Sequence, residues 1–282
     1  RTIYLLIISV LFAFDYNLSL ESKYGQGIEV SGLYETNEPG IDSSYMYNEH
    51  ILDVNLNFSN GLYLNTQLEC SKPPVYGKDL VGLNNFHLEY ELNNLKFKLG
   101  DIYTLYGRGL SVNMFQDQVI DYDNSLRGLE LQYYLNDDIT LFGVAGAKEF
   151  EFRTVPTERI SNASLSNMAF FGGIEYSGFH YLYLHQESII DYNSFSNYAL
   201  IENLPSSGEE TLNTKEHNFS INFNLLEMDI YIENSQSSYN TANGKELYGS
   251  KLYTSIYRDI LDFGITYEYK NYLMEDYIPT LS

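Results

Sequence analysis

Along most of this chain apolar and polar residues alternate one by one. In LNFSNGLYLN, residues 56–65, Leu56 and Phe58 alternate with Asn55 and Asn57. After Ser59-Asn60-Gly61 the alternation restarts, with Leu62 and Leu64 set against Tyr63 and Asn65. A two-residue period places one set of side chains on each face of a β-strand. Asn and Gly tolerate the positive φ that a tight turn needs, so this stretch predicts a hairpin. The same reading predicts strands over 27–34, 50–58, 62–70, 82–92, 95–106, 125–134, 139–147, 168–176, 179–188, 214–224, 228–235, 247–257 and 261–270. No helical period of 3.6 follows the first residues.

The connections alternate in length. Short ones fall at Ser59–Gly61, Asn93-Asn94, Leu135–Asp138, Ser177-Gly178, Leu225–Glu227 and Arg258–Ile260. Long ones fall at 35–49, 71–81, 107–124, 148–167, 189–213 and 236–246. In an up-and-down sheet this puts every short turn at one end, which is the asymmetry of outer-membrane barrels and not of Greek-key sandwiches. Most predicted strands approach the length of about 9–11 residues that a tilted strand needs to cross the hydrocarbon layer. Phe58, Tyr63, Phe97, Tyr133, Tyr176, Phe179 and Tyr257 lie beside the short turns, where an interfacial aromatic girdle is expected. The pattern therefore predicts an all-β, antiparallel up-and-down transmembrane β-barrel over residues 15–282, with outer-membrane lipid as its surroundings.

The first 14 residues, RTIYLLIISVLFAF, read differently. One basic residue precedes a nearly unbroken apolar run, which matches the core of a secretory signal peptide and is too short to span a bilayer as a helix. The thirteen predicted strands leave the two chain ends on opposite sides, whereas bacterial barrels usually have even strand numbers. The sequence is thus expected to be a fragment lacking C-terminal strands, with an additional strand near 196–202 as the alternative.

Composition narrows the function classes. The net charge of −22 argues against nucleic acid as a partner, because phosphate recognition needs a basic surface. Aromatics are 16% of the chain and 28 of them are Tyr, the residue suited to boundaries between water and an apolar phase. The slightly polar mean hydropathy of −0.27 argues against a helical membrane protein, but is compatible with a barrel in which only alternate residues meet lipid. Cys70 is the only cysteine, so no intrachain disulfide forms.

LGDIYTLYGRGL (99–110) followed by SLRGLEL (125–131) resembles a pattern of uncharacterised outer-membrane β-barrel proteins of Bacteroidetes and related bacteria. The resemblance rests on Gly100, Asp101, Tyr103, Gly107, Arg108, Gly109, Arg127 and Gly128. It implies a compartment and a fold and no activity.

Candidate chemistry is sparse. Arg108 and Arg127 fall near the outer ends of neighbouring strands, either as a basic patch at a pore mouth or as partners of Asp101, Asp121 or Asp123. The connection 107–124 carries Leu110, Val112, Met114 and Phe115, which an exposed loop has little reason to hold. It is expected to fold inward, leaving Asp117, Asp121 and Asp123 to face a water path that favours small cations or other small solutes. Lys96 and Lys98 belong at the other end of the lumen, offset by Glu130. His180 and His185 differ in parity and cannot share a metal. No phosphate-binding glycine motif, EF-hand or RTX spacing is present, so neither a cofactor nor an enzyme is expected. The reading is a passive pore or structural barrel, with an acidic β-sandwich that binds a glycan or a partner protein as the alternative.

Overall fold

The computed structural model of the protein describes residues 14–29, 43–74, 79–117, 122–151, 164–191, 209–240, 244, 246–260 and 263–274. Among them every regular element is a β-strand. The chain forms two compact units, residues 1–90 with 153–161, and residues 91–152 with 162–282. The first is an antiparallel meander of β1 (Phe14–Glu29), β2 (Ser43–Phe58), β3 (Tyr63–Ser71) and β4 (Leu80–Leu92).

The second unit opens with β5 (Leu95–Ile102). Four two-residue strands lie in the connection that follows: β6 (Leu105–Tyr106), β7 (Val112–Asn113), β8 (Gln116–Asp117) and β9 (Tyr122–Asp123). The meander then continues through β10 (Leu126–Asn136), β11 (Ile139–Glu151), β12 (Ser164–Tyr176), β13 (Phe179–Asp191), β14 (Glu209–Leu225), β15 (Met228–Asn240), β16 (Glu246–Ile260) and β17 (Phe263–Met274). Each strand pairs antiparallel with the next, and β5 pairs with β10.

The tight turns follow from local chemistry. At 58–62 the Phe58 N–H donates to Leu62 O at 2.8 Å and the Gly61 N–H to Phe58 O at 3.0 Å, with Gly61 at φ +85°. Asn136 Oδ1 accepts from the N–H groups of Asp138 and Ile139, both at 2.9 Å, and closes the β10–β11 hairpin. Leu226 and Glu227 take φ +55° and +63° to join β14 to β15. Two consecutive positive φ values give a turn whose twist matches that of the flanking strands.

Among the described residues there are thirteen strands of 8 to 17 residues, and these correspond one for one to the thirteen predicted strands. Their ends differ. The first strand runs over Phe14–Glu29 and not 27–34. β2 starts at Ser43 and β14 at Glu209, so Glu49, Glu209 and Glu210 sit in strands and not in connections. The predicted 95–106 strand stops at Ile102, and the turn expected at 258–260 is instead the end of β16. Residues 1–13, with most of the expected leader, and the candidate strand at 196–202 lie outside the described residues.

In the second unit, burial is inverted between the two faces. Leu129, Leu131 and Tyr133 on β10, Met168 and Phe170 on β12, and Phe219, Ile221, Phe223 and Leu225 on β14 are exposed on one face. The residues between them on the other face include Glu130, Gln186, Glu216, Asn218, Ser220, Glu233, Ser235 and Lys251, all buried. On β13 and β14 the apolar pairs Phe179–Ile221 and Tyr181–Phe219 give way to Tyr183–His217, then His185–Lys215 and Glu187–Asn213. The apolar face is therefore interrupted on β13 and β14 at the level where Met168 and Phe170 still carry it on β12. In the first unit Tyr16, Leu18 and Leu20 stand opposite Leu56, Val54 and Leu52 on one face. On the other face Asn55 accepts from Tyr63 Oη at 2.9 Å and Asn65 Nδ2 at 2.7 Å, and Gln67 Nε2 donates to Asp53 at 2.7 Å.

Two members of the expected girdle are misplaced. Tyr63 stands opposite Asn57 and bonds Asn55 on the polar face. Tyr257 continues the parity of buried Lys251, Tyr253 and Ser255 and donates to Asp259 at 2.5 Å. In each case the phenol hydroxyl has a carbonyl-type acceptor on that face, which a lipid-facing position lacks.

Candidate functional site

Residues 103–117 leave β5 and lie, with 122–125, on the polar, covered face of the second unit. Val112 and Met114 join Ile102, Tyr106, Leu126, Phe142, Val144, Ala169, Phe171, Leu182 and Leu184 in one buried cluster. The Tyr106 ring stacks on Phe142 at 4.1 Å, and Phe142 on His180 at 5.4 Å. The apolar residues at 110, 112 and 114 thus pack on the wall, as their sequence suggested, while Phe115 stays 41% exposed. Asn124 holds the two arms of the segment together, accepting from the Phe115 N–H at 2.7 Å and donating to Asn113 O at 2.8 Å.

The segment is held by buried carboxylates. Gly107 and Gly109 take φ +61° and +83°, and the tight bend turns the N–H groups of Arg108 and Leu110 towards Glu233, at 2.7 and 3.4 Å. The Gly109 N–H between them donates to Tyr106 O at 3.0 Å, so the bend offers two peptide donors to the one carboxylate. Tyr231 Oη and Asn218 Nδ2 complete the set of donors to Glu233 at 2.7 and 2.8 Å. A Cβ at Gly107 would lie 2.8 Å from Glu233 Oε1 and from Tyr231 Oη. Beside it, Glu216 Oε1 accepts from Ser111 Oγ at 2.8 Å and from Ser235 Oγ, with Lys251 Nζ at 3.6 Å. Lys251 Nζ in turn donates to Leu110 O at 2.5 Å.

A second knot fixes the root of the segment. Arg127 stands opposite Asp101 and grips it through Nε at 3.1 Å and Nη2 at 2.9 Å. Lys148 Nζ lies 3.5 Å from Asp101 and 2.8 Å from Asp123. Tyr103 Oη donates to Asp123 at 3.2 Å. Burial alone would raise the Asp123 carboxyl, but the Lys148 ammonium and the Ser125 N–H outweigh it and hold it below its ordinary value. The Tyr103 phenol is pushed up, first by burial and then by the Asp123 charge. Gly128 admits close approach of β11, since a Cβ there would come 2.0 Å from Ala145 O.

Of the eight candidate residues, the structure brings Arg127 and Asp123 together through Asp101 and Lys148. Lys98 and Glu130 pair at 3.0 Å on the covered face, and Lys96 stands opposite Gln132. The Arg108 guanidinium lies 5.2 Å over the Tyr231 ring. Asp117 ends β8 with its side chain outside the described residues, as is all of Asp121. Sequence reasoning missed Glu216, Glu233, Lys148 and Lys251. The signal for the two carboxylates is an acidic residue flanked at the same parity by small polar residues, Thr214 and Asn218 about Glu216 and Ser235 after Glu233.

A meander of long hairpins with one connection laid along its polar face defines this chain as an up-and-down β protein. Residues 2–171 match the "Family of unknown function (DUF6029)", and the chain belongs to that family. Among solved structures it is similar to a loop-L8 deletion mutant of OmpT, an outer membrane protein of Vibrio cholerae. That likeness has a TM-score of 0.41 and 13% identity, covering 94% of this chain and 96% of that one. It is also similar to an anion-selective porin from Comamonas acidovorans, with a TM-score of 0.36 and 8% identity over 88% of this chain and 86% of that one. A BenF-like porin from Pseudomonas fluorescens gives a TM-score of 0.29 and 10% identity over 94% and 95%. No curated protein matches the chain.

Proposed function

We propose that this protein is a transmembrane β-barrel of a bacterial outer membrane, a passive pore or structural barrel narrowed by residues 103–117. The inverted burial of the second unit carries the reading: leucines and aromatics are exposed where carboxylates, amides and serines are buried. Water rewards the opposite arrangement, whereas a sheet between lipid and an aqueous lumen requires this one. Lipid is then the partner of the exposed face, and small solutes with a preference for cations are the traffic through the lumen. That preference is assigned to Asp117 and Asp121, because Asp123 is neutralised by Lys148 and Glu130 by Lys98.

The test is the reversal potential of the refolded chain in a planar bilayer under a salt gradient. Cation selectivity that falls when Asp117 and Asp121 are changed together to Asn, and holds in Asp123→Asn, is the expected result. Anion selectivity would overturn the assignment. Recovery of the expressed protein as a soluble monomer, with no gel shift on boiling, would overturn the barrel itself.

A further inference from the structure

We infer that the covered face of β13 and β14 holds a site for a monovalent hard cation, sodium being the natural occupant, beside the bend at residues 107–111. Four side chains there keep an oxygen without a protein partner: Gln186 Oε1, Thr214 Oγ1, Glu216 Oε2 and Asn218 Oδ1. All four residues are buried to 1% exposure or less. Thr214 and Glu216 occupy successive same-face positions on β14, and Gln186 stands directly opposite Thr214, so these three bring their free oxygens to one place; Asn218, about 13 Å along the strand from Thr214, lies beside them and does not share the ion with Thr214. The nitrogen ends of the two amides are committed elsewhere. Gln186 Nε2 donates to Ser188 Oγ at 2.9 Å and to Asn167 Oδ1 at 3.2 Å, and Asn218 Nδ2 donates to Glu233 at 2.8 Å. The oxygens are therefore left as acceptors by the network around them.

Charge points the same way. Glu216 and Glu233 are two buried carboxylates, and Lys251 is the one cation within ion-pair reach of either among the described residues. Glu233 is satisfied by neutral donors, and Lys251 divides itself between Glu216 Oε1 and Leu110 O. The patch keeps one negative charge and a row of oxygen acceptors. A buried charge is tolerated when it is paired, and hard cations take carboxylate, amide and hydroxyl oxygens as ligands. A single uncompensated charge suits a monovalent ion better than a divalent one. Because Glu216 also receives Ser111 Oγ, occupancy would stiffen the attachment of the segment. The inference needs only the sheet of the second unit, so a folded chain that does not conduct still tests it.

The experiment is thermal unfolding of the refolded protein in detergent micelles, with sodium chloride titrated against choline chloride at constant ionic strength. Sodium is expected to raise the midpoint saturably, by about 5 °C at a hundredfold excess over its dissociation constant. Glu216→Gln and Thr214→Val should each abolish the sodium increment. Thr214→Val removes an oxygen with no protein partner and should leave the choline baseline where it was, which separates loss of the ion from loss of the fold. Equal midpoints in sodium and choline, a response to calcium alone, or a sodium increment that survives both substitutions would overturn the site.

Discussion

At Glu233 one carboxylate accepts from four donors drawn from three places: the 107–110 bend, Tyr231 on its own strand and Asn218 on the neighbouring one. Glu233→Gln puts an amide where a charged acceptor stood and should cost about 2–3 kcal/mol, as hydrogen bonds to charged groups do. Urea unfolding in lipid vesicles measures this, and protease cleavage within 108–115 should rise with it. Gly107→Ala meets both a positive φ and a 2.8 Å approach to Glu233, whereas Gly143→Ala finds its nearest neighbour 4.0 Å away. The first should destabilise and the second should be neutral in the same assay. Asp123 contributes a pH signature. Its carboxyl is held low in the fold, so its pairing stabilises above the ordinary carboxyl range and is lost as pH falls through the lowered value. Lys148→Met should flatten that acid limb in unfolding curves measured against pH. The glycines of this site were legible in the sequence, because a Gly-Arg-Gly bend announces special backbone geometry. Glu233 was not, because it lies 125 residues from Arg108 and looks like any acid on a polar parity.

At the scale of the strand, the two faces of β10 make separable predictions. Leu131→Arg puts a charge on the exposed apolar belt and should cost about 2–4 kcal/mol in vesicles. Gln132→Arg, one residue on, comes beside Glu130 and should be tolerated, since Gln132 Nε2 already donates to that carboxylate at 2.6 Å. Equal tolerance at the two positions would mean that neither face meets lipid. The same alternation explains what the sequence revealed and what it hid. Where one face is apolar the period of two is visible, and thirteen strands were found from it. Farther along β13 and β14 the outer face turns polar at His185–Lys215 and Glu187–Asn213 while the covered face mixes Leu184 and Leu212 with Gln186 and Thr214, and the pairing continues without the pattern that announces it. β1 was misplaced for another reason. Its alternation from Asp15 to Lys23 follows directly on an apolar run, with no turn residue to mark the start. Tyr63 and Tyr257 were misassigned because adjacency to a turn says nothing about which face a ring takes.

For the whole molecule, a chain of net charge −22 that buries Glu130 against Lys98 and Glu216 near Lys251 leaves much of its acid for water. A cation preference arising from that water-facing acid should weaken as salt screens it, so the reversal potential should shrink with rising ionic strength at a fixed gradient. A preference independent of salt would move its origin into the buried face. The hold on residues 107–110 has a consequence for how this family varies. Glu233 reads peptide N–H groups, which nineteen of the twenty amino acids carry, and is blind to the side chains attached to them. Descendants of this sequence are free to rewrite position 108, and with it whatever the bend presents, without releasing it. Arg108→Ala should leave the anchoring intact, and Arg108→Pro, which removes one of the two peptide donors, should loosen the bend. What the anchoring itself requires is the pair of glycines and the buried acid.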